Sequence, residues 1–281
     1  MYFRPQTLQD ALNVLAETRA TVLAGGTDVY PALGERPFTE PVLDISALKE
    51  ISGVQVETDY FAIGARTTWS ELIAARLPRG FEGLKAAARE IGSVQIQNQA
   101  TLAGNLCNAS PAADGVAALM ALDAEVTLSS LSASRRLPLT EFVLGNRKTA
   151  RRPDELLTSI RVPRRVGDAV SSFLKLGARR YLVISIVMVA CNLLLKTDGT
   201  VEEALIAVGS CSPTAMRMSE LEQALVGQPA LLGISSSVKA EHLAGLSPID
   251  DVRATAAYRR DAAFTLIRRA LEDCAMKVSV K

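Results

Sequence analysis

Apolar residues recur at helical spacing from Thr7 to Ala16 (Leu8, Ala11, Leu12, Leu15), with Thr7 placed to cap and Asp10 in the first turn. The short apolar runs ATVLA (20–24) and VLDIS (42–46) read as buried strands, the first running straight into Gly25-Gly26-Thr27-Asp28. VQVET and YFAIGA alternate around Thr58-Asp59, as the arms of a hairpin do. Thr68-Trp69-Ser70-Glu71 is a capping-box signature that starts a helix, and a further helix over Phe81–Ile91 stops at Gly92. Next come a polar, small-residue stretch from Thr101, a helix over Val116–Leu122, and strands over Glu125–Ser129 and Glu155–Pro163. Arg164–Ala169 reads as a linker. Beyond it lie strands over Ser171–Gly177, Ile186–Leu195 and Val201–Val208, with Asp198-Gly199 turning the last pair tightly. Helical segments over Ser219–Val226, Ser236–Ala244 and about 254–276 finish the pattern, which predicts a mixed α+β protein with a boundary near residues 165–170.

A chain of 281 residues, 48% apolar and 22% charged, has ample material for a hydrophobic core. The net charge of +1 comes without a basic, aromatic-interleaved stripe, which argues against nucleic acid as a partner. Arg147, Lys148, Arg151 and Arg152 read as a solvated loop before Pro153. The most apolar run, Tyr181–Leu195, is too short for a membrane span and is interrupted by Ser185 and Asn192, so a buried core element is expected. The amino terminus has no apolar leader pattern, and a cytoplasmic location is expected. Cys107, Cys191, Cys211 and Cys274 lie far apart, in no metal-ligand or iron–sulfur spacing. The single histidine, His242, argues against histidine triads and histidine metal sites.

Two stretches carry candidate chemistry. LAGGTD (23–28) is neither a dinucleotide fingerprint nor a P-loop. Taken alone it fits a strand-end turn with left-handed glycines better than a nest of outward main-chain amides with the Thr27 hydroxyl beside them. TLAGNLCNASPAAD (101–114) offers amides, a hydroxyl and a carboxamide with little bulk, and Ser110-Pro111 forces a turn. Asp114 is placed to cap the next helix or to accept hydrogen bonds from ribose hydroxyls. Two such loops together suit a diphosphate held by main-chain dipoles in place of lysines.

These two motifs, in this order, resemble the FAD-binding medium subunit of the molybdenum hydroxylases, the relatives of xanthine dehydrogenase, aldehyde oxidoreductase and carbon monoxide dehydrogenase. The likeness runs along nearly the whole chain, through YFRPQTLQDALNVLA (2–16), IGARTTWSEL (63–72), REIGSVQIQNQATLAGN (89–105), DELLTSIRVP (154–163), FLKLGARR (173–180), AVGSCSPTAMR (207–217) and YRRDAAFTLIRRAL (258–271).

The resemblance implies a vanillyl-alcohol-oxidase-type flavin fold. Two α/β subdomains (1–53 and 54–165) would be followed by a carboxy-terminal domain (170–281) of a three-stranded antiparallel sheet with helices. Carried over by position, Val22, Leu23, Ala24, Gly25, Gly26, Thr27, Asp28 and Val29 form the first FAD loop. Ile91 adds an apolar contact, Thr101, Ala103, Gly104 and Asn105 line the second loop, and Asp114 meets the ribityl or ribose hydroxyls. Leu157 is a further apolar contact and Lys175 a cationic one, suited to stabilising an anionic reduced flavin. Two departures stand out. Ala103 occupies a position where glycine is frequent, so positive φ is not required there. Tyr181-Leu182-Val183 replaces the acidic surroundings common in members that use NAD, which leaves the acceptor open.

The implied role is an electron-transfer subunit. FAD would be noncovalent, with Cys107 the nearest residue for any covalent link. Molybdopterin would sit in a large partner and two [2Fe–2S] clusters in a small one, in a dimer of heterotrimers that passes electrons to NAD, a quinone or oxygen. No residue of this chain is expected to act as nucleophile or general base. A stand-alone flavin oxidoreductase of the same fold and a flavin-free nucleotide-binding scaffold remain alternatives.

Overall fold

The structure is a computed structural model, and it describes residues 1–279. The described residues build three larger sheets in succession and a two-stranded ribbon, Val143–Gly145 with Lys148–Thr149. Tyr2–Phe3, Val42–Asp44 and Thr21–Leu23 form a small parallel sheet with Val42–Asp44 in the middle, flanked by the helix Leu8–Glu17. Thr7 caps that helix through its hydroxyl, as its spacing predicts. A five-stranded antiparallel sheet follows, in spatial order Val54–Val56, Tyr60–Gly64, Leu156–Pro163, Glu125–Ser129 and Ser134–Pro138. The last of these strands, mostly polar and outward-facing, leaves no apolar signature and escapes the sequence reading. The helices Trp69–Ala74, Glu82–Glu90, Leu102–Asn108 and Asp114–Met120 cover this layer, and the capping box at Thr68 and Glu71 is present.

The third sheet has four strands, not three: Val170–Leu176, Val187–Leu195, Val201–Gly209 and the two-residue Met216–Arg217. A two-residue strand is too short to show any periodicity. The strand Val187–Leu195 explains the apolar run seen in the sequence, because both of its faces are covered. Val187, Val189, Cys191 and Leu193 pack under the long helix Ala256–Ser279. Met188 and Ala190 turn the other way, into the core that they share with the amino-terminal sheets. Asn192 shares that second face, and its Nδ2 donates to the Ala121 carbonyl at 2.6 Å. The carboxy-terminal sheet is therefore a wall between two cores.

The segment expected as a linker is packed instead. Arg164–Asp168 is a 3-10 turn whose Val166 is fully buried. It lies against the turn Arg79–Phe81, and a Cβ on Gly80 would stand 1.9 Å from the Val166 carbonyl oxygen. Polar composition marks a linker only when no neighbour covers it; here glycine clears the room for a backbone-to-backbone contact. Residues 234–243 similarly form two 3-10 turns instead of one helix. His242 sits in the second, its Nδ1 accepting from the Lys239 amide. Among the described residues no helix is long and apolar enough to cross a membrane. Gly80→Ala is expected to lower the unfolding free energy by about 1–3 kcal/mol through overpacking, as read from the urea midpoint at unchanged slope.

Candidate functional site: a cleft between two loops and a sheet

The strand Thr21–Leu23 ends at the carboxyl edge of its parallel sheet, where open α/β sheets place their ligands. Its alternation decides which residues reach the cleft. Val22 lines it, whereas the Leu23 side chain is buried behind the wall. Ala24, Gly25, Gly26, Thr27, Asp28 and Val29 all border the cleft. The two glycines have different reasons to be there. Gly26 takes the left-handed conformation, with φ at 71°. Gly25 does not; a Cβ on it would lie 1.8 Å from the Gln99 carbonyl oxygen, so the first loop rests on the backbone that leads into the second.

The second stretch is not a loop. Leu102–Asn108 is a helix capped by Thr101, whose hydroxyl accepts from the Gly104 amide at 3.0 Å. Gly104 and Asn105 are weak helix formers, which hid the helix from pattern. It is held from outside: Thr101 bridges Thr68, the Leu102 amide donates to the Thr67 carbonyl, and the Trp69 amide donates to the Ala100 carbonyl. Ala103 is helical, consistent with its having no need of positive φ. The predicted turn at Ser110-Pro111 is present, with Ala109 left-handed before it.

Asp114 is likewise not a cap. It is the first residue of the helix Asp114–Met120, the cap position belongs to Ala113, and no side chain caps there. Its carboxylate is committed elsewhere. Oδ2 accepts from Lys175 Nζ at 2.6 Å and Oδ1 from the Ser185 hydroxyl at 2.5 Å. Both ends of the ion pair are deeply buried, with side-chain exposures of 7% for Lys175 and 6% for Asp114. Lys175 does lie on an edge strand, yet it is no surface lysine, because the amino-terminal layer covers it. Burial pushes the Asp114 carboxyl above its ordinary range, against the Lys175 ammonium and the hydrogen bonds from Lys175 and Ser185, which favour the ionised form.

All these groups border one cleft of about 1840 Å³, together with Ile91, Thr101, Ala103, Gly104, Asn105 and Leu157. That exceeds the roughly 300–1,000 Å³ of most small-ligand pockets and suits an extended ligand. Among the described residues, the amides of Gly25, Gly26, Thr27, Asp28 and Ala103 donate to no protein acceptor. Asn105 Oδ1 is buried and accepts from nothing. The cleft therefore offers free main-chain donors, the groups that a diphosphate needs, whereas Asn105 Oδ1 packs inward against Gly115. Sequence reasoning missed three contributors. Arg147 and Arg151, read as a solvated loop, stand on the cleft wall, and Arg151 Nη1 also donates to the Glu155 carbonyl at 2.6 Å. Ser185 was visible only as a polar break in an apolar run. Cys107 also borders the cleft; burial raises its thiol to about 11, against the pull of Arg151, which disfavours the thiolate a covalent link would need.

Comparison with known proteins decides what this architecture is. Residues 1–165 match the family described as "FAD binding domain in molybdopterin dehydrogenase", and residues 172–274 match the "CO dehydrogenase flavoprotein C-terminal domain". The chain belongs to the FAD-binding subunits of the molybdenum hydroxylases. It is 32% identical over 237 residues to the nicotinate dehydrogenase FAD-subunit of Eubacterium barkeri, covering 81% of this chain and 80% of the relative. It is 30% identical over 277 residues to a xanthine dehydrogenase FAD-binding subunit of Escherichia coli, covering 97% and 94%. Among solved structures, reconstituted CO dehydrogenase from Oligotropha carboxidovorans superposes with a TM-score of 0.90 at 27% identity, covering 98% of this chain and 97% of that one. The flavin subunit thus has the mixed helix-and-sheet fold of the carbon monoxide dehydrogenase flavoprotein and is an oxidoreductase subunit.

Removing the cation alone would strand the buried carboxylate. Lys175→Met is expected to destabilise the flavin subunit by about 3–5 kcal/mol. Most of that loss should return in Asp114→Asn/Lys175→Met, a coupling that paired urea titrations of the four variants measure directly.

Proposed function

We propose that the cleft holds FAD, its diphosphate on the amides of Gly25–Asp28 and Ala103, and that the chain relays electrons within a molybdenum hydroxylase assembly. The observation that carries this reading is the convergence of unpartnered main-chain donors on one cleft, in a chain whose family binds FAD. Val22, Ile91 and Leu157 supply apolar walls, and Arg147 and Arg151 offset phosphate charge. Lys175 faces the cleft with its charge balanced by Asp114, a fixed cation beside the flavin ring. Bound FAD supplies the redox chemistry; the residues of the chain hold it, orient it and exclude water.

Electrons arrive, in this reading, from [2Fe–2S] clusters in a small partner subunit, after substrate is oxidised at molybdopterin in a large one. They leave to an external acceptor: NAD, a quinone or oxygen. Relatives support the division of labour through their printed names, as FAD subunits and medium chains of dehydrogenases. The assembly would be a cytoplasmic dimer of heterotrimers. Within the chain, 1–53 and 54–165 would act as the two flavin-binding subdomains and 170–281 as the carboxy-terminal domain that lines one side of the cleft. No side chain needs to act as nucleophile or base.

The full chain is expected to purify yellow and to release FAD on denaturation. Gly26→Val, which forces a β-branched residue into the left-handed region against the Tyr30 ring, should weaken FAD binding about tenfold or more with the far-ultraviolet spectrum unchanged. A colourless wild-type chain that takes up no FAD on reconstitution overturns the reading.

A further inference from the structure

The Asp114–Lys175 pair has a third member that neither motif contains. Ser185 lies just before the strand Val187–Leu195, on the carboxy-terminal side of the cleft, and is 1% exposed. Its hydroxyl donates to Asp114 Oδ1 at 2.5 Å, across 71 positions of sequence. Lys175 Nζ donates to the other oxygen and makes a longer contact, 3.4 Å, with the Glu90 carbonyl. A carboxylate held at only one oxygen can rotate about its terminal bond; held at both, it is fixed, and so is the ammonium that it binds. Asp114 comes from the amino-terminal layer, whereas Lys175 and Ser185 come from the carboxy-terminal sheet and the segment leading into it. The three side chains therefore tie the two sides of the cleft together at its floor.

We propose that Ser185 is a positioning residue for the flavin cleft: it locks the Asp114 carboxylate, through it the Lys175 ammonium, and so sets the acid limit of flavin retention. This rests on the assignment of FAD to the cleft. The charged groups facing Asp114 are Lys175, from the strand Val170–Leu176, and Glu90, from the helix Glu82–Glu90; the one favours the ionised carboxylate and the other opposes it. Burial also opposes it, and the Ser185 hydrogen bond favours it. When Asp114 takes a proton, Lys175 is left as an unbalanced buried cation and the floor of the cleft loses its shape. Flavin retention is therefore present above the Asp114 pKa and lost as pH falls through it. Removing the Ser185 donor raises that pKa and moves the loss to higher pH.

The test is an acid titration of the flavin-loaded full chain, reading released FAD by its fluorescence and the fold by circular dichroism. Ser185→Ala should raise the release midpoint by about one to two pH units, the range expected for one hydrogen bond to a charged group. Ser185→Cys, nearly isosteric and a weaker donor, should fall between. Asp114→Asn, which mimics the protonated carboxyl, should release flavin across the whole pH range with its circular dichroism unchanged. Coincident midpoints for Ser, Ala and Cys overturn the role of Ser185 while leaving the flavin site standing. Flavin retention by Asp114→Asn as tight as in the wild type overturns the role of the carboxylate charge, and with it that of Ser185. Wild-type chain that holds no flavin at any pH overturns the site itself.

Discussion

The absence of a side chain at Gly25 lets the first loop lie on the Gln99 carbonyl, and the cleft depends on that contact. The first loop belongs to the parallel sheet, whereas Gln99 and Ala100 lead into the helix Leu102–Asn108 of the next layer. Without the close approach, the free amides of residues 25–28 and the amide of Ala103 would face separate surfaces. A methyl group at that position would have to displace backbone on both sides. The two stretches are thus one construction, although 73 residues lie between Gly25 and Gln99 in the sequence.

Electrostatics divide along the cleft. At the loop end, charge is met by dipoles and by the guanidinium groups of Arg147 and Arg151. At the sheet end, Lys175 is balanced within the protein before any ligand arrives. A buried pair of this kind contributes little net stability, because desolvation offsets its attraction. What it supplies is a defined geometry at a place where a ligand's electronic state matters. The hydroxyl of Ser185 costs the fold nothing beyond its own burial and removes the remaining freedom of the carboxylate.

Local signals were legible in the sequence because they need no partner. The caps at Thr7 and Thr68, the stop at Gly92 and the Asp198-Gly199 turn are decided within a few residues, and the structure has each of them. Of the expected site residues, all but Leu23 border the cleft, since motif position tracks backbone position well. What pattern could not show was which surface covers which. The helix Leu102–Asn108 is written in poor helix formers and held by Thr67, Thr68 and Trp69. Lys175 on an edge strand looks exposed until the amino-terminal layer is laid over it. Ser185 carries no motif; its partner lies in another layer. The 3-10 turn Arg164–Asp168 reads as a linker for the same reason: its burial is supplied by a neighbour.

The wall strand Val187–Leu195 raises a separate matter, that of folding to one structure and not to its near copies. Alternation normally fixes a strand's register, because a slip of one residue turns its apolar set to water. Here both faces are buried and apolar, so a slipped strand would still be well covered. Asn192 is the exception. In the observed register its Nδ2 finds the Ala121 carbonyl, and one residue away it would be driven, unpartnered, against the apolar underside of the long helix. A single buried amide thereby discriminates between registers that hydrophobicity alone leaves nearly equal in energy.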